Sequence, residues 1–105
     1  MELFESNTLI RDDIRKLAFE LESHYLNEFD FKNHCYLRIA YDNVLNNKWD
    51  MVVKKPFVNN ATQKQLEEGL NLLKQYLANR DLLKQHNNCS LNFRKNSTLS
   101  SKIII

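Results

Sequence analysis

Glycine and proline are almost missing from this chain: Gly69 and Pro56 are the only ones in 105 residues. One glycine cannot build a phosphate-cradling loop, a dinucleotide-binding turn or a nucleophile elbow, so P-loop, Rossmann and α/β-hydrolase chemistry are excluded. Sandwiches and doubly wound sheets consume many turn residues, and their scarcity points to long helices joined by polar loops. Asparagine supplies the loop chemistry instead, at Asn46-Asn47, Asn59-Asn60 and Asn87-Asn88. No apolar run approaches the roughly 20 residues of a membrane helix, so no membrane partner is expected. The opening MELFES lacks a basic-then-apolar signal pattern, which predicts a cytoplasmic protein. The two cysteines, Cys35 and Cys89, are then expected as free thiols.

Apolar and charged contents of 43% and 27% are those of a folded domain. The net charge of +2 conceals an asymmetry. Residues 1–30 carry eight acids against three bases, and residues 31–105 carry five acids against twelve bases. Either the acidic first helix neutralises the remainder by packing on it, or the basic part faces an anionic partner.

Periodicity predicts an all-α fold: one compact bundle of four main helices over residues 1–95, a short extra helical segment, and a flexible, disordered tail over 96–105. The first helix is expected from Thr8 to Tyr25, with Ile10, Ile14, Leu17, Ala18, Leu21 and Tyr25 in one stripe. A loop with aromatic anchors follows. The second helix is expected from Lys32 to Asn46. Its stripe is Leu37, Ala40, Tyr41 and Val44, and further apolar residues on its other sides make it the centre of the bundle. Lys48 to Lys54 reads as a short helical continuation ended by Pro56. Thr62-Gln-Lys-Gln65 fits a capping box that opens the third helix, whose stripe is Leu66, Leu70, Leu73 and Leu77. Gly69 beside that stripe implies close approach of another helix. The fourth helix is expected from Leu82 to Lys95, with Leu82, His86, Cys89 and Phe93 in line.

Several residue groups have the types that chemistry needs. If the second helix continues to residue 49, Arg38, Asp42 and Trp49 share a face, flanked by Cys35 and Asn46. Arg38 and Asp42, one turn apart, are placed to pair. An arginine fork beside a tryptophan plane suits a carboxylate, a phosphate or a base. The same residues also suit an ion pair that lets a central helix meet a second neighbour, with Trp49 in the core. Lys48, Lys54 and Lys55, with Arg94, Lys95 and Lys102 further on, form a basic set interleaved with Trp49 and Phe57 that suits nucleic-acid phosphates and a stacked base. They equally suit a solvated face. His34-Cys35 and His86-x-x-Cys89 lack the close ligand spacing of zinc sites, so no metal is expected. No catalytic set can be assembled, and no cofactor is expected.

The stretch His34-Cys-Tyr-Leu-Arg-Ile-Ala-Tyr-Asp-Asn43, with Lys48-Trp-Asp50 and Lys55-Pro-Phe57, resembles a group of short bacterial proteins of unassigned function. Gln65-Leu-Glu67 and residues 87–94 extend the similarity over about residues 9 to 95. Some such proteins carry an acetyltransferase label. A GNAT-type acetyltransferase holds coenzyme A in a Gly-rich loop at a strand-to-helix turn, and this chain has neither loop nor strand pattern. The resemblance implies no site residue.

The function expected from these residues is that of a small cytosolic, non-enzymatic binding or regulatory module acting through a protein partner or by self-association. Two alternatives stand beside it. One is nucleic-acid binding through Lys48, Lys54 and Lys55. The other is small-ligand or acyl-transfer chemistry at the Arg38, Asp42 and Trp49 face.

Overall fold

Apolar residues at helical spacing dictate helices that must bury one stripe each, and four long helices do so. The structure, a computed structural model, describes the backbone of residues 2–104 and the side chains of residues 9–95. In chain order the helices are α1 (Glu2–His24), α2 (Asn33–Leu45), the short α3 (Phe57–Asn60), α4 (Gln63–Ala78) and α5 (Arg80–Ile104). A 3-10 turn, Trp49–Met51, lies between α2 and α3. No strand occurs among the described residues. The fold is all-α.

α2 and α4 form the middle of the bundle, each packing on the three other long helices, while α1 and α5 flank them. The core runs along this middle. Ile14, Leu21, Ile39, Leu66, Leu73, Tyr76 and Leu83 are almost wholly buried. Aromatic clusters close its two ends. At one, Phe29 and Phe31 stack in the α1–α2 loop with centroids 5.2 Å apart, and they lean on Tyr25 and Tyr36. At the other, Tyr41 stacks on Phe57 at 3.7 Å and both meet the edge of Trp49. Each cluster pins a glycine-free loop by burying rings rather than by turn geometry.

Local chemistry fixes the element ends. Thr62 Oγ1 accepts from the Gln65 N–H at 3.1 Å, and Gln65 Oε1 accepts from the Thr62 N–H at 2.9 Å. This is the expected capping box of α4. Asn46 ends α2 in the left-handed region, with φ 52°, a conformation asparagine tolerates better than most residues. Pro56 stands at the N-cap of α3.

Several boundaries differ from expectation. α1 starts at Glu2 rather than at Thr8, because the glutamates and apolar residues before Thr8 are compatible with helix and no breaker intervenes. The Lys48–Lys54 continuation contracts to the 3-10 turn Trp49–Met51. Between that turn and α4, Phe57–Asn60 add the single helical turn α3. Only Asn79 separates α4 from α5, since its Oδ1 accepts from the Leu82 N–H at 3.0 Å and so starts the new helix at once. The expected tail over residues 96–105 follows the side chains described for α5, whose backbone is assigned to Ile104. The side chains of that tail, and Ile105, lie outside the described residues.

Candidate functional site

α2 and α5 meet across a buried polar network built on Asp42. Its side chain is wholly inaccessible to solvent. A buried carboxylate is tolerable only when its lone pairs are satisfied, and here they are. The Ser90 hydroxyl donates to Oδ2 at 2.6 Å. The Arg94 guanidinium donates through Nε to Oδ2 at 2.8 Å and through Nη2 to Oδ1 at 3.2 Å, a two-pronged ion pair. The Trp49 backbone N–H donates to Oδ1 at 2.9 Å. Asp42 thereby fastens the exit of α2 to α5 and to the 3-10 turn.

The expected Arg38–Asp42 pair is replaced by a relay. Arg38 Nη1 donates to Ser90 Oγ at 2.7 Å and Nη2 donates to Asn87 Oδ1 at 3.0 Å, while the Ser90 hydroxyl in turn donates its hydrogen bond to Asp42. The Asp42 carboxylate is committed to Arg94 and the Trp49 N–H, so Arg38 reaches it through Ser90. Burial, and after it the neighbouring Arg94 cation, lowers the pKa of Arg38 from its usual value. Asn43 extends the network, donating to the carbonyls of Ile39 at 2.7 Å and His86 at 2.9 Å. His86 Nδ1 meets the Tyr76 hydroxyl at 2.7 Å, and burial pushes this imidazole below its ordinary pKa.

The other residues of the expected face are spread over the exit of α2 and its first turn. Trp49 is half-buried and packs into the aromatic cluster at the exit of α2. Its ring lies edge-on to Tyr41 and Phe57, with centroids 5.8 and 5.6 Å away. Asn46 is the exposed left-handed cap of α2, and Cys35 is a half-buried free thiol. Cys89 is likewise free and half-buried. No group of three His, Cys, Asp or Glu among the described residues is arranged to hold a metal ion. Of the basic set, Lys48 and Lys55 converge on Asp50 at 3.9 and 3.5 Å, while Lys54 is exposed. Arg94, read with that set, is drawn inward to Asp42.

The partners Asn87, Ser90 and Arg94 were not in the expected site. Their signal is a polar row at Asn87-x-x-Ser90-x-x-x-Arg94, the face of α5 turned to α2, beside the stripe of Leu82, His86, Cys89 and Phe93. Among the described residues of α5, Leu83 and Ser90 are the deeply buried ones.

A concave surface opens elsewhere, between α1, α2 and α3. It is a cleft of about 170 Å³. Ile14 and Ala18 of α1 form its floor together with Leu37 of α2 and Val58 of α3. Arg11, Arg15 and the half-exposed Phe19 line it from successive turns of α1. Arg11 Nη1 donates to Asn59 Oδ1 at 3.3 Å, which tethers the guanidinium to α3. Its Nε is buried and has no hydrogen-bond partner. A shallower depression between α1 and α4 carries both signs of charge, from Asp13 and Glu20 and from Lys16 and Lys74.

Compared with known proteins, the chain matches no family model, no curated protein and no solved structure. No helix among the described residues is long and apolar enough to cross a membrane.

Proposed function

We propose that this protein is a small non-enzymatic binding module that engages a partner protein through the cleft between α1, α2 and α3. One observation carries this reading. The polar residues that would have made a reactive or ligand-binding site satisfy one another inside the bundle, whereas the cleft keeps an apolar floor and a basic lining open to solvent. A buried carboxylate already engaged by a serine, an arginine and a backbone N–H has no lone pair directed at a substrate. The cleft is also small. Sites for drug-sized ligands and cofactors occupy about 300–1,000 Å³, so a space of 170 Å³ suits one or two side chains of a partner rather than coenzyme A or a nucleotide.

Peptide display on the immobilised protein, followed by amide chemical-shift mapping of the enriched peptides, tests the proposal. Shifts should concentrate in residues 11–19 of α1, in residues 33–41 of α2 and at Val58. Peptides that perturb only residues 48–55, or single-stranded oligonucleotides that bind there with steep salt dependence, would move the function to Lys48, Lys54 and Lys55.

A further inference from the structure

We infer that the cleft between α1, α2 and α3 receives a short acidic–aliphatic segment of a partner protein, with one aliphatic side chain on the apolar floor and an adjacent carboxylate held by Arg11 and Arg15. The inference rests on the cleft being the binding surface and specifies what it binds.

Charge complementarity carries it. Residues 1–30 contain only three bases, Arg11, Arg15 and Lys16, among eight acids. Two of these three line the cleft, and no acid among the described residues lines it. Arg11 and Arg15 are one turn apart, which places them side by side on α1. Among the described residues neither forms an ion pair with a carboxylate. Asn59 holds one end of the Arg11 guanidinium and leaves its buried Nε–H without an acceptor. A guanidinium presents its donors in a fork that matches a carboxylate, and Arg15, exposed beside Arg11, adds a second. The apolar floor supplies the second half of the recognition. From Arg11 to Phe19 the helix rises about 12 Å, the length of roughly four residues of extended chain. Phe19 is 54% exposed at the far end of this run, where an apolar partner residue would cover it.

The test uses the full chain and defined five-residue peptides with blocked ends, read by amide chemical-shift titration. One peptide places glutamate beside leucine. One replaces the glutamate with glutamine, one replaces the leucine with alanine, and inorganic phosphate serves as the anion alone. The glutamate–leucine peptide should shift residues 11–19 and 33–41, and either peptide substitution should weaken it at least tenfold. Arg15→Gln, a change at an exposed position, should weaken it severalfold while leaving binding of the glutamine peptide unchanged. Equal binding of the glutamate and glutamine peptides within the cleft would overturn the acidic specificity and leave the cleft as a binding surface. Phosphate binding with no preference for either peptide would reduce the arginines to a simple anion site and overturn the inference. Shifts lying outside the cleft for every peptide would overturn both this inference and the cleft itself.

Discussion

The Asp42 carboxylate accepts hydrogen bonds from Ser90, from the Trp49 N–H and twice from Arg94, all away from solvent. Every neighbour is a donor. Asp42→Asn keeps the size, removes the charge and turns one of the two acceptors into a donor that must face another donor. Breaking a buried ion pair from one side costs about 3–5 kcal/mol, because the remaining charge loses its counter-ion. Arg94 keeps 29% of its side chain exposed, and water there recovers part of that loss. A destabilisation of about 3 kcal/mol is therefore expected in urea unfolding, with helix content retained in the folded state. A variant within about 1 kcal/mol of the wild type would mean that the network does not hold the bundle together, and would reopen Asp42 as a functional group. At this scale the sequence discloses half of the network. Helical spacing puts Arg38 and Asp42 on one face of α2. Ser90 and Arg94 stand 48 and 52 residues further on, a separation that no local pattern encodes. The relay through Ser90 also depends on which way the carboxylate turns, and its turn is decided by Arg94 and Trp49 in three dimensions.

At the scale of the element, α4 is the most legible part of the chain. Its capping box closes within four residues and its apolar stripe repeats cleanly, so local rules suffice. The starts of α1 and α5 depend on competition between caps and continuing helix, which propensities of a few tenths of a kcal/mol decide. Gly69 gives this scale its test. It is buried where the Tyr41 ring of α2 crosses α4, in keeping with a neighbouring helix close by. Yet a Cβ at Gly69 would lie 3.6 Å from Tyr41 Cε1 and 3.7 Å from Cδ1, ordinary packing distances. Its backbone is helical and has no positive φ. Alanine in a helix interior is favoured over glycine by about 1 kcal/mol. Gly69→Ala should therefore stabilise the protein by about 0.5–1 kcal/mol and raise Tm by roughly 4 °C, measured by thermal denaturation. A loss of stability instead would show that the Tyr41 ring, held in its stack on Phe57, cannot accommodate even a methyl group in contact.

At the scale of the whole molecule, the bundle has placed every one of its four tyrosines inside. The sequence foretold Tyr25 and Tyr41 as core residues from their stripes, but gave no sign of the cleft, which is bordered by residues of α1, α2 and α3. Burial raises the pKa of all four tyrosines. Tyr36 is pushed up to about 12, and its hydroxyl has no hydrogen-bond partner among the described residues. Tyr41 and Tyr76 are raised by the same cause, and Tyr25 is raised by burial and then by the negative charge of Glu28. Two of the hydroxyls also hold structure: Tyr25 donates to the Tyr76 carbonyl at 2.6 Å, and Tyr76 meets His86 at 2.7 Å. In the unfolded chain these phenols ionise near their ordinary value of about 10. The fold binds the phenolic protons more tightly than the unfolded chain does, so this contribution to stability is complete below pH 10 and is lost as pH rises from about 10 toward the folded values. All four are displaced in the same direction, so their ionisation above pH 10 works against the fold. Titration of the native protein followed by tyrosinate absorbance should show no phenol ionising freely near pH 10. Ionisation should arrive late, in one cooperative step, together with the loss of helical circular dichroism. A tyrosine that titrates near 10 while the helical signal stays intact would place that ring outside the core and break the packing of the bundle at that position.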